Sequence, residues 1–275
     1  MRITAAQADD IAAVLREAAQ AEILPRFRRL AAGDIRAKSG PLDLVTEADE
    51  AAERRIAPEL SKRFPQALIL GEEAAAADPS LLNDMAEAEL CFVIDPVDGT
   101  ANFAAGVPLF GVMVAAIHHG ETIAGWIHDP MGDDTVIGLR GECAWVQAPD
   151  GSRHDCRVAP PRPITGMVGA VSWGYMPPER KRRVLPRLAL LAGTLNYRCA
   201  AHEYRLAATG GAHLLVYNRL MPWDHAAGVL IHAEAGGHSA QLDGTPYSPR
   251  KHTGGLVCAP DAASHAEAMQ ALFGE

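Results

Sequence analysis

The feature that most constrains this chain is the position of its acidic residues, which stand where short apolar runs end. The apolar run 90–94 leads directly into Asp95-Pro96-Val97-Asp98-Gly99-Thr100, and the run 67–70 leads into Gly71-Glu72-Glu73. Asp224 opens a helical pattern that follows Pro222-Trp223. Because the loops that follow strands share one rim of a layered fold, we predict that these carboxylates converge on one cleft.

The spacing of these acids predicts a metal site. Carboxylates that share a cleft raise one another's pKa unless a cation neutralises their charge. Carboxylate oxygens are hard ligands, and they suit Mg²⁺ or Mn²⁺ better than zinc. Pro96 fixes the backbone between Asp95 and Asp98, so both side chains and the Val97 carbonyl can face one centre. A single Asp-Gly pair would more often be only a turn, so the prediction depends on the joint pattern.

A phosphate site is predicted beside the same acids. Gly99 lets a ligand approach the backbone closely, and the amides of Gly99 and Thr100 can donate to phosphate oxygens. Metal ions beside such donors polarise a phosphoryl oxygen, activate water and stabilise the leaving alkoxide. The pattern therefore indicates metal-assisted phosphate hydrolysis.

Helix and strand patterns alternate along the whole chain, which predicts an α+β fold with helices layered on mixed or antiparallel sheets. An amphipathic helix is expected from Thr4 to about Leu30, and Thr46 is expected to cap a second helix. Further helices are predicted near 178–191, 201–208 and 223–235 and from Asp261, and strands near 67–70, 90–94, 110–117, 122–128, 135–139, 142–147, 167–171, 213–217 and 256–258.

A proline-rich stretch at residues 159–163 predicts a boundary between two halves. Residues 1–158 would form an N-terminal half that carries most of the metal ligands. Residues 159–275 would form a C-terminal half that carries Asp224 and the substrate pocket. We expect the two halves to form one compact catalytic unit.

Charge and composition exclude several classes of partner. The 275-residue chain has a formal net charge of −9 and no basic tail, so neither nucleic acid nor an anionic membrane is an expected partner. No apolar run approaches the length of a membrane span, and Asp9, Asp10 and Glu17 interrupt the apolar pattern that a secretory signal needs. The five cysteines form no C-x-x-C pair, and free thiols fit a reducing compartment, so we expect a cytoplasmic protein.

At these residues the chain resembles the inositol monophosphatase family. Residues 95–103 (DPVDGTANF) resemble the family signature D-P-[IVL]-D-G-T-x-N-F, and residues 223–237 resemble the second signature, W-D-x-A-A-G…E-A-G-G. Lys38 and residues 43–49 (DLVTEAD) are similar to the segment K…D-x-V-T-x-x-D. Gly71-Glu72-Glu73 and Gly125-x-x-x-Asp129-Pro130 stand in the family's order and spacing. Each motif is moderately specific, and all of them in order over nearly the whole chain are highly specific.

The resemblance implies a layered αβαβα sandwich of the sugar-phosphatase type that hydrolyses a small phosphorylated metabolite with Mg²⁺. It also implies a homodimer and inhibition by lithium, and it leaves the role of Lys38 open. Thr100 and Asp49 would form a hydrogen-bonded pair that activates the attacking water together with Glu72, and the amides of Gly99 and Thr100 would hold the phosphate. The ligands of two or three Mg²⁺ ions, with Mn²⁺ as a substitute, would be Glu72, Asp95, the Val97 carbonyl, Asp98 and Asp224.

Two departures from the family pattern concern the substrate pocket. Inositol-specific relatives carry a glutamate seven residues before the W-D aspartate, where this chain has Tyr217. Where those relatives show R-x-x-G-[ST]-A-A, residues 195–201 read LNYRCAA, which introduces Arg198. Arg198 and Arg205 could hold a second anionic group, and a structural salt bridge explains either arginine equally well. The residues expected to bind substrate are Asp98, Arg198, Ala200, Tyr217 and Asp224.

The leading hypothesis is a phosphatase for an inositol, sugar or polyol phosphate. Histidinol phosphate, fructose 1,6-bisphosphate and a nucleoside 3′,5′-bisphosphate are alternative substrates, although Tyr217 supplies no acid for the histidinol amine. An alternative of another class is a catalytically silent relative that binds a phosphorylated ligand, which the complete set of predicted catalytic residues disfavours. His118-His119 and His225 lack a partner at zinc-ligand spacing, so we interpret them as surface or hydrogen-bonded histidines.

Overall fold

The computed structural model describes residues 1–40 and 43–274, apart from the side chains of Ala32, Ser39 and Asp43. The side chain of Asp43, part of one motif compared above, therefore lies outside the described residues. Within the described part of the chain, no helix combines the length and the apolar character needed to cross a bilayer. The α-helices are α1 (Ala5–Ala18), α2 (Glu47–Arg63), α3 (Glu72–Ala77), α4 (Leu81–Glu87), α5 (Thr100–Ala104), α6 (Pro178–Val184), α7 (Ala200–Ala208), α8 (Pro222–Glu234) and α9 (Ala262–Phe273).

Two helices are shorter than the sequence pattern predicts, and a proline follows each of them. The Thr4 side chain caps α1, but the α-helix ends at Ala18. It continues as a π-helical turn (Ala19–Ile23) and a 3-10 turn that contains Pro25. Helix α6 likewise gives way to a 3-10 segment that contains Pro186. Since a proline removes one donor from the helical hydrogen-bond ladder, the predictions of helices over 4–30 and 178–191 were wrong in their C-terminal ends.

The strands form two large sheets and one two-stranded ladder. In chain order they are β1 (Ile35–Gly40), β2 (Asp43–Thr46), β3 (Leu68–Gly71), β4 (Leu90–Asp98), β5 (Gly111–His118), β6 (Glu121–Asp129), β7 (Asp134–Leu139), β8 (Cys143–Gln147), β9 (Arg153–Asp155), β10 (Val168–Val171), β11 (Gly193–Leu195), β12 (Leu214–Tyr217), β13 (His238–Gln241) and β14 (Leu256–Ala259). The seven-stranded sheet has the order β3-β4-β5-β6-β7-β8-β9, with only its β3–β4 pair parallel. The five-stranded sheet has the order β11-β10-β12-β14-β13, in which β10 runs parallel to both of its neighbours. Strands β1 and β2 pair with each other.

The alternation of side chains along the strands builds a layered core. Successive residues of a strand point to opposite faces of its sheet. In β4, Phe92 packs in one buried cluster with Ile11 of α1 and Ile56 of α2, whereas Val93 packs in another cluster with Tyr204 of α7. The seven-stranded sheet therefore lies between α1 and α2 on one face and α7 and α8 on the other.

The second sheet repeats this arrangement. Leu215 of β12 joins the same cluster as Val93, and its neighbour Val216 packs with Ala268 and Leu272 of α9. The layers therefore follow the order helix, sheet, helix, sheet, helix, which confirms the predicted α+β sandwich. The seven-stranded sheet uses residues up to Asp155 and the five-stranded sheet uses residues from Val168 onward, on either side of the proline-rich stretch.

A glycine in β6 lets α8 approach the seven-stranded sheet closely. A Cβ atom at Gly125 would lie 2.7 Å from the Cα atom of Ala227, so a larger residue would push the helix away. Ala227 lies one turn beyond Asp224 in α8. This close packing therefore sets the position of Asp224 relative to the strands that carry the other acids.

Candidate active site

Three of the predicted acids come together at the end of the only parallel strand pair in the seven-stranded sheet. Gly71 of β3 pairs with Ile94 of β4, so Glu72, which follows β3, and Asp95 within β4 lie at the same edge, where this parallel pairing ends. Asp224 reaches this edge from the first turn of α8. One carboxylate oxygen from each of Glu72, Asp95 and Asp224 lies within 4.8 Å of the other two.

The electrostatics of this cluster favour a bound cation. Asp95 is only 2% exposed, and burial together with the charges of Glu72, Asp98 and Asp224 raises the pKa of Asp95 well above its usual value. Burial and the charges of Glu72 and Asp98 raise the pKa of Asp224 in the same way. An all-oxygen set of ligands under such repulsion fits a hard divalent ion, as Mg²⁺ or Mn²⁺ would be.

Asp98 lies beside this group and is held by helix α7. One of its carboxylate oxygens accepts hydrogen bonds from the Ala201 amide at 2.6 Å and from the Cys199 thiol at 3.0 Å. Burial raises the pKa of Asp98, and these two donors act in the opposite direction. The structure therefore places Asp98 next to the triad of acids, with one oxygen already engaged by the first turn of α7.

The predicted pair of Thr100 and Asp49 is present. The Thr100 hydroxyl lies 2.9 Å from Asp49 Oδ1 and 2.9 Å from the Val97 carbonyl oxygen. The other oxygen of Asp49 accepts a hydrogen bond from the Thr46 amide at 2.8 Å, which completes the predicted cap of α2. Burial raises the pKa of Asp49 to about 6. Asp49 therefore connects the start of α2 to Thr100 through hydrogen bonds.

Gly99 adopts a backbone conformation that favours glycine. Its φ is 87°, and a Cβ atom there would lie 2.8 Å from the Leu109 carbonyl oxygen. Gly99, Thr100 and Ala101 line a cavity that also contains the acids. Their backbone is thus exposed to whatever ligand the cavity accepts.

Lys38 lies against the acidic cluster. Its ammonium group is 2.7 Å from carboxylate oxygens of both Glu72 and Glu73. Although burial lowers the pKa of Lys38, the two carboxylates outweigh burial and raise it. The sequence left the role of Lys38 open, and the structure shows it as a counter-charge for these two glutamates.

Glu53 was not identified from the sequence, yet it supports the segment that carries Glu72. Its carboxylate accepts hydrogen bonds from the amides of Glu73 and Ala74, both at 2.9 Å. A Cβ atom at Gly71 would overlap the Glu53 carboxylate at 2.0 Å, so the glycine makes room for it. Because Glu53 belongs to α2, about twenty residues earlier, no local pattern indicates this contact.

The cavity beside the acids has a volume of about 370 Å³. Among the predicted substrate-binding residues, Arg198, Ala200 and Tyr217 all line it, together with Asp98 and Asp224. The Arg198 guanidinium donates to Asn102 Oδ1 at 2.9 Å. Arg205 does not line the cavity and instead forms salt bridges with Asp134 and, at 3.8 Å, with Asp129. Of the two explanations for these arginines, the structural salt bridge holds for Arg205.

The cavity contains one acid that the sequence argument missed. Glu203 of α7 is 1% exposed, lines the cavity and accepts a hydrogen bond from the Tyr197 amide at 2.8 Å. Burial raises the pKa of Glu203 to about 7. Tyr217 supplies no acid to the pocket, as the sequence indicated, but Glu203 supplies one from another element. Glu203 comes from a neighbouring helix, so its position depends on tertiary packing.

We expect the metal-free protein to lose stability as the pH rises from about 6.5 to about 8. Burial raises the pKa of Glu203 to about 7, and burial with the nearby Glu72 charge raises the pKa of Glu73 to about 7. The folded state therefore binds more protons than the unfolded state in this range, and stability falls as those protons leave. Thermal melts in a chelator, repeated at steps of pH, measure this slope. A melting temperature that rises towards pH 8 would contradict it.

Buried histidines should produce the opposite slope below about pH 6.5. Burial lowers the pKa of His128, His225 and His232 to about 4. Between about pH 6.5 and 4 these three histidines bind more protons in the unfolded state, so their contribution to stability falls as the pH falls. The raised pKa values of Glu73 and Glu203 act in the opposite direction between about pH 4.5 and 7, so the melts isolate the carboxyl groups only above about pH 6.5.

Comparison with known proteins shows which proteins this chain resembles in sequence and in fold. The model of the inositol monophosphatase family matches residues 5–273. Inositol-1-monophosphatase of Bacillus subtilis is 29% identical over 219 residues, which cover 78% of each chain. Fructose-1,6-bisphosphatase/inositol-1-monophosphatase of Thermotoga maritima is 30% identical over 215 residues, 77% of this chain and 76% of that protein. The solved structure of extragenic suppressor protein suhB from Bartonella henselae is similar with a TM-score of 0.81 and 26% identity, covering 96% of this chain and 98% of that chain.

Proposed function

The chain belongs to the inositol monophosphatase family of phosphoric monoester hydrolases, and on this basis we propose that it hydrolyses a small phosphate monoester with Mg²⁺. The observation that carries the proposal is the cluster of Glu72, Asp95 and Asp224 within 4.8 Å, next to the cavity that Thr100 and Gly99 line. This arrangement offers a site for divalent ions and a site for a phosphate group side by side.

The metal ligands would be Glu72, Asp95, the Val97 carbonyl, Asp98 and Asp224, which hold two or three ions. When bound, Mg²⁺ polarises the phosphoryl oxygen, makes water more acidic and stabilises the leaving alkoxide. The carboxylates fix the position of that chemistry at the end of β4. The amides of Gly99 and Thr100 would bind the phosphate oxygens and orient the phosphorus towards the water.

Thr100, Asp49 and Glu72 would position the attacking water. The Thr100 hydroxyl donates to Asp49 Oδ1, which leaves the threonine oxygen free to accept a hydrogen bond from water. One hydrogen of that water would form the hydrogen bond to Thr100. Glu72 would accept the other hydrogen as a proton when the water attacks phosphorus. The buried Asp49 thus acts through Thr100 by fixing the direction of its hydroxyl.

The substrate would be an inositol, sugar or polyol phosphate, because the cavity is small and polar side chains such as Asn196, Arg198 and Glu203 line it beside the acids. Arg198 in this cavity favours a second candidate, a substrate with an additional phosphate such as fructose 1,6-bisphosphate or a nucleoside 3′,5′-bisphosphate. Glu203 supplies the cavity with an acid for the amine of histidinol phosphate. Histidinol phosphate therefore stays among the alternative substrates. A catalytically silent relative is disfavoured, since every predicted metal ligand lines the same cavity.

Phosphate release from a panel of these compounds tests the proposal. We expect release that needs Mg²⁺, stops in a chelator and decreases with lithium. A preference for bisphosphates would support the role of Arg198, and a preference for monophosphates would support the leading hypothesis. If no compound is hydrolysed although Mg²⁺ binds, the silent alternative replaces the proposal. The expected homodimer and cytoplasmic location are separate predictions, and light scattering of the purified protein tests the first.

A further inference from the structure

A second group of potential metal ligands lies at the opposite end of the seven-stranded sheet. His118 ends β5, His119 begins the turn to β6, and Glu89 directly precedes β4. The His119 amide donates to the Glu89 carbonyl at 2.8 Å, and His118 pairs with Leu90, so the backbones of the three residues are held together. Six residues of extended chain separate Glu89 from Asp95, a distance of about 20 Å.

The side chains of these residues converge on one point. Their ligand atoms lie within 4.8 Å of one another, and His118 Nε2 is 3.9 Å from Glu89 Oε1. The centroids of the two imidazole rings are 4.2 Å apart. The sequence offered no partner for the two histidines at zinc-ligand spacing, but strand pairing supplies Glu89 from about thirty residues earlier.

The conformation of the turn does not by itself explain a histidine at this position. His119 has a φ of 50° and Gly120 a φ of 81°, and together they form a two-residue hairpin turn. Such a turn needs positive φ at both residues, for which Asn-Gly is the favoured pair. Asparagine adopts this positive φ at least as readily as histidine does. The turn conformation therefore does not require an imidazole at residue 119, and we look for a function of that side chain.

We propose that Glu89, His118 and His119 form a binding site for Zn²⁺ or a similar divalent transition metal, distinct from the catalytic acids. Two imidazole nitrogens with one carboxylate oxygen form a ligand set typical of Zn²⁺ sites, whereas Mg²⁺ takes oxygen ligands and the two imidazoles disfavour it. The Glu89 side chain is 78% exposed and can swing to bring its oxygen within bonding distance.

The role of this site would be structural. A metal held there ties the start of β4 to the β5–β6 turn, about 20 Å from the catalytic acids. The proposal does not depend on the proposed catalytic function, because it involves none of the same residues.

Calorimetric titration with Zn²⁺ tests the site, with excess Mg²⁺ present to occupy the catalytic carboxylates. We expect one strong zinc site in the unaltered protein and at least about tenfold weaker binding in His119→Asn, which keeps the turn. At a free concentration ten times its dissociation constant, zinc should raise the melting temperature by about 3–6 °C. The matched control is His154→Asn, which removes an exposed histidine from β9 and should bind zinc like the unaltered protein.

Further variants separate this site from the catalytic one. Glu89→Gln should weaken zinc binding as well, and neither His119→Asn nor Glu89→Gln should alter phosphatase activity with Mg²⁺. If the unaltered protein binds no zinc in the presence of Mg²⁺, the proposal is wrong. Equal zinc affinity in the unaltered protein and His119→Asn would also overturn it, since the binding would then come from other residues.

Discussion

Replacing Asp95 by asparagine is expected to lower kcat/KM about a thousandfold, which corresponds to ~4 kcal/mol of transition-state stabilisation. Asp95 is the most buried of the three clustered acids, and its oxygen atoms face Glu72 and Asp224. The amide removes the charge that would hold the metal. It preserves the local turn, because an asparagine oxygen can still accept the hydrogen bond that Val97 now donates to Asp95 Oδ1.

The same substitution should raise the melting temperature of the metal-free protein. Burial and neighbouring carboxylates raise the pKa of Asp95, so its negative charge destabilises the folded state when no cation is present. A neutral side chain removes that repulsion, so without metal the variant should be more stable than the unaltered protein. Residues that an active site needs often lower the stability of the fold in this way. Melts in a chelator and in Mg²⁺, compared with phosphate release, measure both effects.

A matched control is Asp84→Asn, which changes an exposed aspartate of α4 and should alter neither activity nor stability. If Asp95→Asn kept normal activity, Asp95 would not be a metal ligand. If activity and melting temperature fell together, the loss would reflect damage to the fold, and the assignment of Asp95 would have no support from this variant.

The sequence predicted which acids meet because their meeting depends on local rules. Glu72 and Asp95 follow two apolar runs, and parallel pairing of β3 and β4 brings the ends of those runs to one edge. Thr46 and Asp49 form a capping box, which a four-residue pattern is enough to indicate. These features needed no knowledge of how distant elements pack.

The features that the sequence missed all depend on packing between distant elements. Glu53 reaches the Glu72 segment from α2, Glu203 reaches the cavity from α7, and Glu89 reaches the paired histidines across the sheet. No local motif distinguishes these glutamates from exposed ones, and their neighbours in space are separated from them along the chain. The hydrogen bond between Asp98, at the end of β4, and the first turn of α7 was missed for the same reason. A single sequence specifies strand ends and caps far better than it specifies which helix lies above them.

Replacing Thr100 by valine is expected to reduce kcat by about a hundredfold to a thousandfold with little change in KM. Valine has nearly the shape of threonine but cannot donate to Asp49 Oδ1 or accept a hydrogen bond from water. The substrate and the metal should still bind, because the acids and the amide of residue 100 remain. Steady-state kinetics, together with titration of Mg²⁺ into the variant, separates the loss of turnover from any loss of binding.

Thr100→Ser provides the control, since serine keeps the hydroxyl and loses only a methyl group. We expect it to retain activity within about tenfold of the unaltered protein, because the hydrogen bond to Asp49 can still form. Equal activity in Thr100→Val and the unaltered protein would show that this hydroxyl does not orient the water. Equal losses in the valine and serine variants would assign the effect to packing at residue 100. Only the pattern of a large loss in valine and a small loss in serine supports a water held between Thr100 and Glu72.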